Sequence, residues 1–246
     1  MTEKKLTVVI LAYNEEGNIA GAIQSAKGLD ADILVIDSNS TDNTREIAKS
    51  LGARVAVHPF GEDFAFQRNL AKEYASTPWI FHLDADERIT EKLAASIKKA
   101  VEGEFFLYEA KRVTTSLGGA HRFGSLSPDY VGRLMPKDAT WVGKVHEHPE
   151  CSRETRRLSG ELTHEPYANW AAWERKVEKY TTIWANDAYN RGKRAGGFSP
   201  FLRAAFGFLK MFVVKVGFLD GAKGLNAALA HAFYTFMKYV KLSEKA

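Results

Sequence analysis

Two carboxylates, Asp84 and Asp86, flank the small Ala85 directly after the apolar run Trp79-Ile80-Phe81-His82-Leu83. Alternate side chains of an extended segment share a face, so both carboxylates can point the same way. Two negative groups so close repel unless a cation joins them. A hard divalent ion such as Mg2+ or Mn2+, which takes oxygen ligands and bridges phosphates, is suited to the place. The competing reading is that the pair caps a helix beginning near Thr90. Other polar groups follow apolar runs in the same manner. Tyr13 offers a ring to stack on a base, and Asp37 an acceptor for a base N–H or a ribose hydroxyl. Arg68, read at the N-terminal end of a helix, complements phosphate charge or else is a solvated surface arginine. Its neighbour Asn69 is structural or donor-facing.

The elements that hold these residues follow from hydrophobic spacing. Residues 6–11 and 33–36 are short, β-branched apolar runs of the kind buried on both faces of a parallel sheet. Between them Ile19, Ile23 and Ala26 recur at helical spacing, with Gly28 as the expected stop. Thr41 or Asp42 is expected to cap a helix holding Ile47, Ala48 and Leu51, closed by Gly52. A third strand over residues 53–57, a helix over 66–74, a break at Pro78 and the strand ending at Leu83 complete a β-α-β-α-β-α-β order. That order predicts an α/β fold with a Rossmann-type mixed, mainly parallel sheet flanked by helices. Ligands of such sheets bind beyond the carboxyl ends of the strands, where Tyr13, Asn14, Asp37 and Asp84 fall. From residue 105 to 162, apolar stretches alternate with turn signals, as in longer mixed or antiparallel strands. From Trp170 onward the pattern is helical, interrupted at Gly196-Gly197 and Ser199-Pro200. We therefore expect a catalytic domain over residues 1–168, with halves 1–90 and 91–168, and a helical extension over 169–246.

Four motifs in order resemble the nucleotide-sugar glycosyltransferases of family 2, which have the GT-A fold. They are Leu11-Ala12-Tyr13-Asn14-Glu15-Glu16, Val35-Ile36-Asp37-Ser38-Asn39-Ser40-Thr41-Asp42, Gln67-Arg68-Asn69 and Asp84-Ala85-Asp86-Glu87. The resemblance implies that Ala12, Tyr13, Asn14, Glu15 and Asp37 hold the nucleoside, with Arg68, Asn69 and Ala85 also on the donor side. It implies that Asp84 contacts the ribose and Asp86 the diphosphate-bound metal. Ala12 departs from the pattern, since many members carry Pro there.

A second constellation is Trp141-Val142-Gly143-Lys144-Val145-His146-Glu147-His148-Pro149, preceded by Arg133. An inverting transfer needs one general base to take the proton of the acceptor hydroxyl; a metal-stabilised diphosphate leaves without an acid. Glu147 is the candidate base. Trp141 is read as the floor of a sugar site or as a core tryptophan, and Arg133 and His146 join it as acceptor-side residues. His146 or His164 is a candidate further metal ligand, though no fixed spacing chooses among them and His148, and satisfied structural histidines remain the alternative. His82, inside a strand, is expected to be buried packing. The Trp-x-Gly-x-Val-His-Glu stretch resembles bacterial family members that glycosylate the lipopolysaccharide core, a β-glucosyltransferase type, and extends the resemblance over most of the chain.

Composition bounds the reading. An apolar fraction of 45% and a charged fraction of 26% over 246 residues suit one sizeable domain with a modest extension. The single Cys151 excludes an intrachain disulfide and a cysteine-based zinc cluster, and fits a reducing compartment. No apolar signal segment precedes the first strand, so a cytoplasmic location is expected. Residues 191–246 carry ten Lys or Arg against Asp220 and Glu244, while the rest of the chain is net acidic. Its apolar runs are too interrupted for a membrane span. Interfacial helices facing anionic head groups at the inner face of the inner membrane are expected, or a hairpin packed on the catalytic domain or in a homodimer. Interleaved apolar runs and the absence of a known module argue against nucleic acid. The expected function is inverting transfer of a sugar, from UDP-glucose by resemblance, to a glycolipid acceptor in the lipopolysaccharide inner core. Its rivals are a nucleotide-sugar or polysaccharide binder without turnover, and a nucleotidyltransferase, which would show a Gly-rich basic loop where Tyr13-Asn14-Glu15-Glu16 stands.

Overall fold

The computed structural model describes residues 3–61, 63–116, 118–143, 147–167 and 169–245. In chain order the elements are β1 (Leu6–Ala12), α1 (Ile19–Ala26), β2 (Asp32–Asp37), α2 (Thr44–Ser50), β3 (Arg54–Val57), α3 (Phe64–Asn69), α4 (Ala71–Tyr74), β4 (Trp79–Asp84), β5 (Glu87–Ile89) and α5 (Glu91–Val101). There follow β6 (Leu107–Ser116), β7 (Gly119–Ala120), β8 (Asp129–Pro136), β9 (Thr140–Val142), β10 (His148–Glu150), β11 (Thr155–His164), α6 (Trp170–Asn190), α7 (Ser199–Leu209) and α8 (Ala222–Ser243). They form two compact units, one of residues 1–112 and 129–164, the other of 113–128 and 165–246. Residues 113–128 group with the C-terminal helices in the second unit.

The first unit is an α/β fold around a sheet with strand order β3-β2-β1-β4-β8-β6-β11-β5. Strands β1 to β4 are parallel, whereas β8 runs antiparallel to β4 and to β6, and β11 antiparallel to β5. This is the mixed sheet anticipated from the order of strands and helices. Its first strands are apolar on both faces because both faces are covered. Val8, Ile10 and Ala12 of β1 join Ile19, Ile23, Leu93 and Ile97 from helices on one side. Val9 joins Leu34, Ile36, Ile80, Leu70 and Ala71 on the other. The parallel register sets Ala12 opposite Asp37 and Leu11 opposite Asp84, so three strand ends bearing motif residues lie side by side.

Local chemistry explains where elements start and stop, and corrects several expectations. Helix α1 does not stop at Gly28; a 3-10 turn carries the chain on to Asp30, whose left-handed φ of 51° ends it. Asn43, not Thr41 or Asp42, occupies the N-cap of α2, and Asp42 instead accepts the amide and hydroxyl of Thr44. Gly52 closes that helix as expected, with φ at 86°. Asp63 caps α3 earlier than expected by accepting the Phe66 amide at 2.7 Å, and a turn at Leu70 divides the helix expected over residues 66–74 into two short ones. Arg68 therefore lies in the last turn of α3, not at a helix N-terminus. Finally, the strand does not run through Asp86: it ends at Asp84, and Ala85 and Asp86 form a turn into β5. Thr90 caps α5 by accepting the Leu93 amide, so Asp84 and Asp86 are not its caps. At Gly160 of β11, with φ 96°, a Cβ would meet the Leu93 backbone nitrogen at 2.3 Å, so only glycine lets β11 and α5 approach this closely.

The second unit takes the end of β6, its hairpin with β7, and the helices. Ala185, Ala188 and Leu242 make a small core with Trp184 and Tyr239 between α6 and α8. Helix α7 packs through the buried Gly207, beside His231 and Thr235 of α8. A π-helical turn (Lys210–Val214) and a 3-10 turn (Gly217–Asp220) join α7 to α8. Asp220 accepts the backbone amides of Arg122 and Phe123, both at 2.9 Å, which ties residues 122–123 to the turn. Gly224 lies where a Cβ would collide with the Gly217 carbonyl at 1.8 Å. Among the described residues no helix is long and apolar enough to cross a membrane.

Candidate active site

The loops after β1 and β2 are stapled to each other. The Asn14 amide donates to Ser40 Oγ at 2.9 Å, and Asn14 Oδ1 accepts the Thr41 amide at 2.8 Å. The Glu15 amide donates to Thr44 Oγ1 at 2.8 Å, and Glu16 Oε2 accepts from Asn43. Asn14 sits at a φ of 54°, a left-handed conformation that asparagine tolerates better than most residues. Asp37 is fully buried and uses both oxygens on Ser40, one for its amide and one for its hydroxyl, with Arg45 at 3.8 Å. Ala12 is buried at the end of β1. Tyr13 is 59% exposed at the rim, its ring available to a planar ligand.

Beyond the end of β4 lies a cluster of buried charges. Arg133, on β8, reaches Asp84 at 2.7 Å and Glu87 at 2.6 Å. Arg68 donates to Asp84 at 2.8 Å and to Glu147 at 3.4 Å, with its guanidinium 4.7 Å from the Trp141 ring. Burial alone would raise the Asp84 pKa, but Arg133 and Arg68 outweigh it and hold the carboxyl well below the usual range. Glu87 has no exposed surface, and burial pushes it up, with the negative Asp84 adding to the effect and Arg133 opposing it. Its other oxygen accepts the Asp84 amide at 3.1 Å, fixing the strand end. Asp84 is thus an immobile, ionised acceptor. Arg68 Nη1 is buried with no partner among the described residues.

Arg68, Asp84, Arg133, Trp141 and Glu147 line one cavity of about 490 Å3, together with Arg112, Tyr130 and His148. Trp141 is at once core and wall: it is buried, and its indole N–H donates to His82 Nε2 at 3.0 Å. Burial, with Arg68 and Arg133 nearby, pushes His82 well below its usual pKa, so it is a neutral acceptor inside the strand. Asn69 clamps the Trp141 backbone from both sides, accepting its amide and donating to its carbonyl, each at 2.9 Å. The structure thereby places Asn69 under the wall that carries Glu147.

The turn separates Asp86 from this cluster. Asp86 lies 3.5 Å from His164 Nε2 at the end of β11, both side chains about one-fifth exposed or slightly more. Ala85 is buried, and its carbonyl accepts from Arg88 at 2.8 Å. His146 lies outside the described residues. Among the described residues no three His, Cys, Asp or Glu side chains form a metal cage. An Asp with one imidazole nonetheless fits a divalent ion of the kind that takes its remaining ligands from diphosphate oxygens and water. Sequence reasoning gave no role to Glu87, Arg112, Ser40 or Thr44. Glu87 had a signal, a third acidic residue directly after the strand-end pair, whereas Arg112 is joined to Glu87, 3.7 Å away, only by the pairing of distant strands.

A family model described as glycosyl transferase family 2 matches residues 7–207. An uncharacterised glycosyltransferase of Rickettsia typhi is 26% identical over 268 residues, spanning 98% of this chain and 87% of the relative. The lipopolysaccharide core biosynthesis glycosyltransferase LpsC of Rhizobium meliloti is 26% identical over 252 residues, spanning 98% and 92%. A solved glucosyl-3-phosphoglycerate synthase of Mycobacterium tuberculosis, with Mn2+, UDP and glucosyl-3-phosphoglycerate, is 23% identical and covers 46% of this chain and 45% of its own, with a TM-score of 0.39.

Proposed function

The chain belongs to glycosyl transferase family 2, and we propose that it moves a sugar, with inversion, from a nucleotide-sugar donor to a lipid-borne acceptor of the lipopolysaccharide core. One observation carries the reading: the Arg68 guanidinium bridges Asp84 at 2.8 Å and Glu147 at 3.4 Å in the wall of one cavity beyond β4. A candidate donor-binding carboxylate and a candidate base so stand on two sides of one cation. The similarity to LpsC over nearly the whole of both chains supports the acceptor class. UDP-glucose, implied by the resemblance of the motifs, is the donor to test first.

In this reading Tyr13 stacks on the base and Asp37 keeps the nucleoside loops closed. Asp84, held rigid by two arginines, accepts a ribose hydroxyl. Arg68 turns its unpartnered Nη1 to the diphosphate. Glu147 takes the proton of the acceptor hydroxyl as that oxygen bonds to the anomeric carbon from the face opposite the departing phosphate oxygen. Trp141 and Arg133 shape the acceptor side of the cavity. Asp86 and His164 would hold a divalent ion, Mg2+ or Mn2+, which when bound neutralises charge on the leaving diphosphate. A lipid-borne acceptor sets the work at an anionic membrane surface, the inner face of the inner membrane, with the C-terminal helices towards it.

Glu147→Gln should keep donor binding, read by thermal shift with UDP-, GDP- and ADP-sugars and Mn2+, and lose about 10²- to 10⁴-fold in transfer. Full transfer by this variant would remove Glu147 as base. Asp86→Asn should lose metal-dependent turnover.

A further inference from the structure

Helix α7 turns its apolar side outward. Phe198, Leu202, Phe206, Leu209 and Val213 recur three or four positions apart, so they lie along one side of the helix and its π-helical continuation. All are exposed, Phe198 by 79% and Leu202 and Phe206 by 68% each. The opposite side, with Pro200, Gly207 and Met211, is buried. The stripe continues over Val214, Phe218 and Leu219, also exposed, in the turns before α8. Monomeric soluble proteins rarely leave so long an apolar band to water.

The charge around the band selects what covers it. Residues 191–219 contain Arg191, Lys193, Arg194, Arg203, Lys210 and Lys215 and no Asp or Glu. Lys210 and Lys215 bracket the π-helical turn and are exposed beside the outward valines. A second copy seated on this face would bring two such basic sets together without an intervening carboxylate. An anionic lipid surface offers apolar depth for the phenylalanines and phosphate for the lysines. No helix among the described residues is long enough and apolar enough to span, so the insertion is shallow and in the plane of the interface.

We infer that the α7 face, from Phe198 to Leu219, is a membrane-docking surface that inserts between anionic head groups. The inference deepens the reading of a lipid-borne acceptor, and rests on it for purpose but not for measurement. Full-length protein should sediment with phosphatidylcholine vesicles containing phosphatidylglycerol, bind pure phosphatidylcholine roughly tenfold less, and be released as salt screens the lysines. The double variant Leu202→Glu/Phe206→Glu should lose anionic binding by a similar factor while its circular dichroism is unchanged, because both side chains are exposed. Equal sedimentation of the variant, or no preference for the anionic vesicles, would overturn the inference. So would a concentration-dependent dimer, seen by light scattering, that the variant converts to monomer without vesicle binding by either form. Transfer to a water-soluble acceptor sugar separates the two readings. A variant that keeps this transfer and loses vesicles supports docking, whereas vesicle binding with no transfer by the unsubstituted protein tells against the transferase reading alone.

Discussion

Helices α5 and α7 are both eleven residues long, and they turn their apolar residues in opposite directions. In α5, Leu93, Ile97 and Ala100 face the sheet, and Glu91, Lys92, Lys98 and Lys99 face out. In α7 the buried positions are Pro200 and Gly207, and Phe201, Leu202, Phe206 and Leu209 face out. The charge distribution is reversed as well: the unit containing α5 buries Glu87, Arg68 and Arg133 around the half-buried Asp84 beside its cavity, while the lysines beside α7 stay at the surface. The difference teaches that apolar periodicity reports a helix with a face to cover, and not what covers it. One unit uses burial to make a rigid site, and the other leaves an apolar face for a partner.

That contrast can be tested by stability, from the largest effect to the smallest. Leu93→Ala should cost about 2–5 kcal/mol in chemical denaturation, since it opens a cavity between α5 and the sheet. A loss near zero would mean that α5 does not seal the core. Asp84→Asn should cost about 3 kcal/mol, the lower end for a broken buried pair, because Arg133 keeps Glu87 and Arg68 keeps Glu147. The pH dependence has a definite sign. A carboxyl whose folded pKa is depressed contributes stability above its unfolded pKa and loses it as the pH falls towards the folded one, so the gap between the two proteins should narrow below about pH 4. A gap that widens in acid would reverse the assigned direction. Phe206→Ala, on the outward stripe of α7, should change stability by no more than about 0.5 kcal/mol. A loss like that of Leu93→Ala would show that the stripe belongs to a core.

Much of the first half was legible from residue order. The apolar runs placed β1, β2 and β4, and the parallel strands they imply put Ala12, Asp37 and Asp84 at neighbouring ends. Short-range spacing cannot tell where an extended run turns, which is why Asp84 and Asp86 were read on one face and stand on either side of a bend. The helix over residues 66–74 was misread for a similar reason, since its spacing marks neither the early start capped by Asp63 nor the turn at Leu70 that divides it. In the second half residues 113–128 carried turn signals but no sign of their partners, the amides of Arg122 and Phe123 being satisfied by Asp220 nearly a hundred residues later.

The sequence by itself determined the α/β class, the motif order, the acidic strand end and the basic helical tail, because these depend on periodicity and composition within a few residues. Only the tertiary structure decided which partners the two carboxylates meet. Asp84 is neutralised by Arg68 and Arg133, which arrive from α3 and β8, whereas Asp86 meets His164 from β11. Electrostatic partnership is set by distance in space, and no spacing along the chain encodes it. The outward face of α7 is the same lesson at larger scale: its pattern was written in the residues, but its direction depended on where Gly207 met α8.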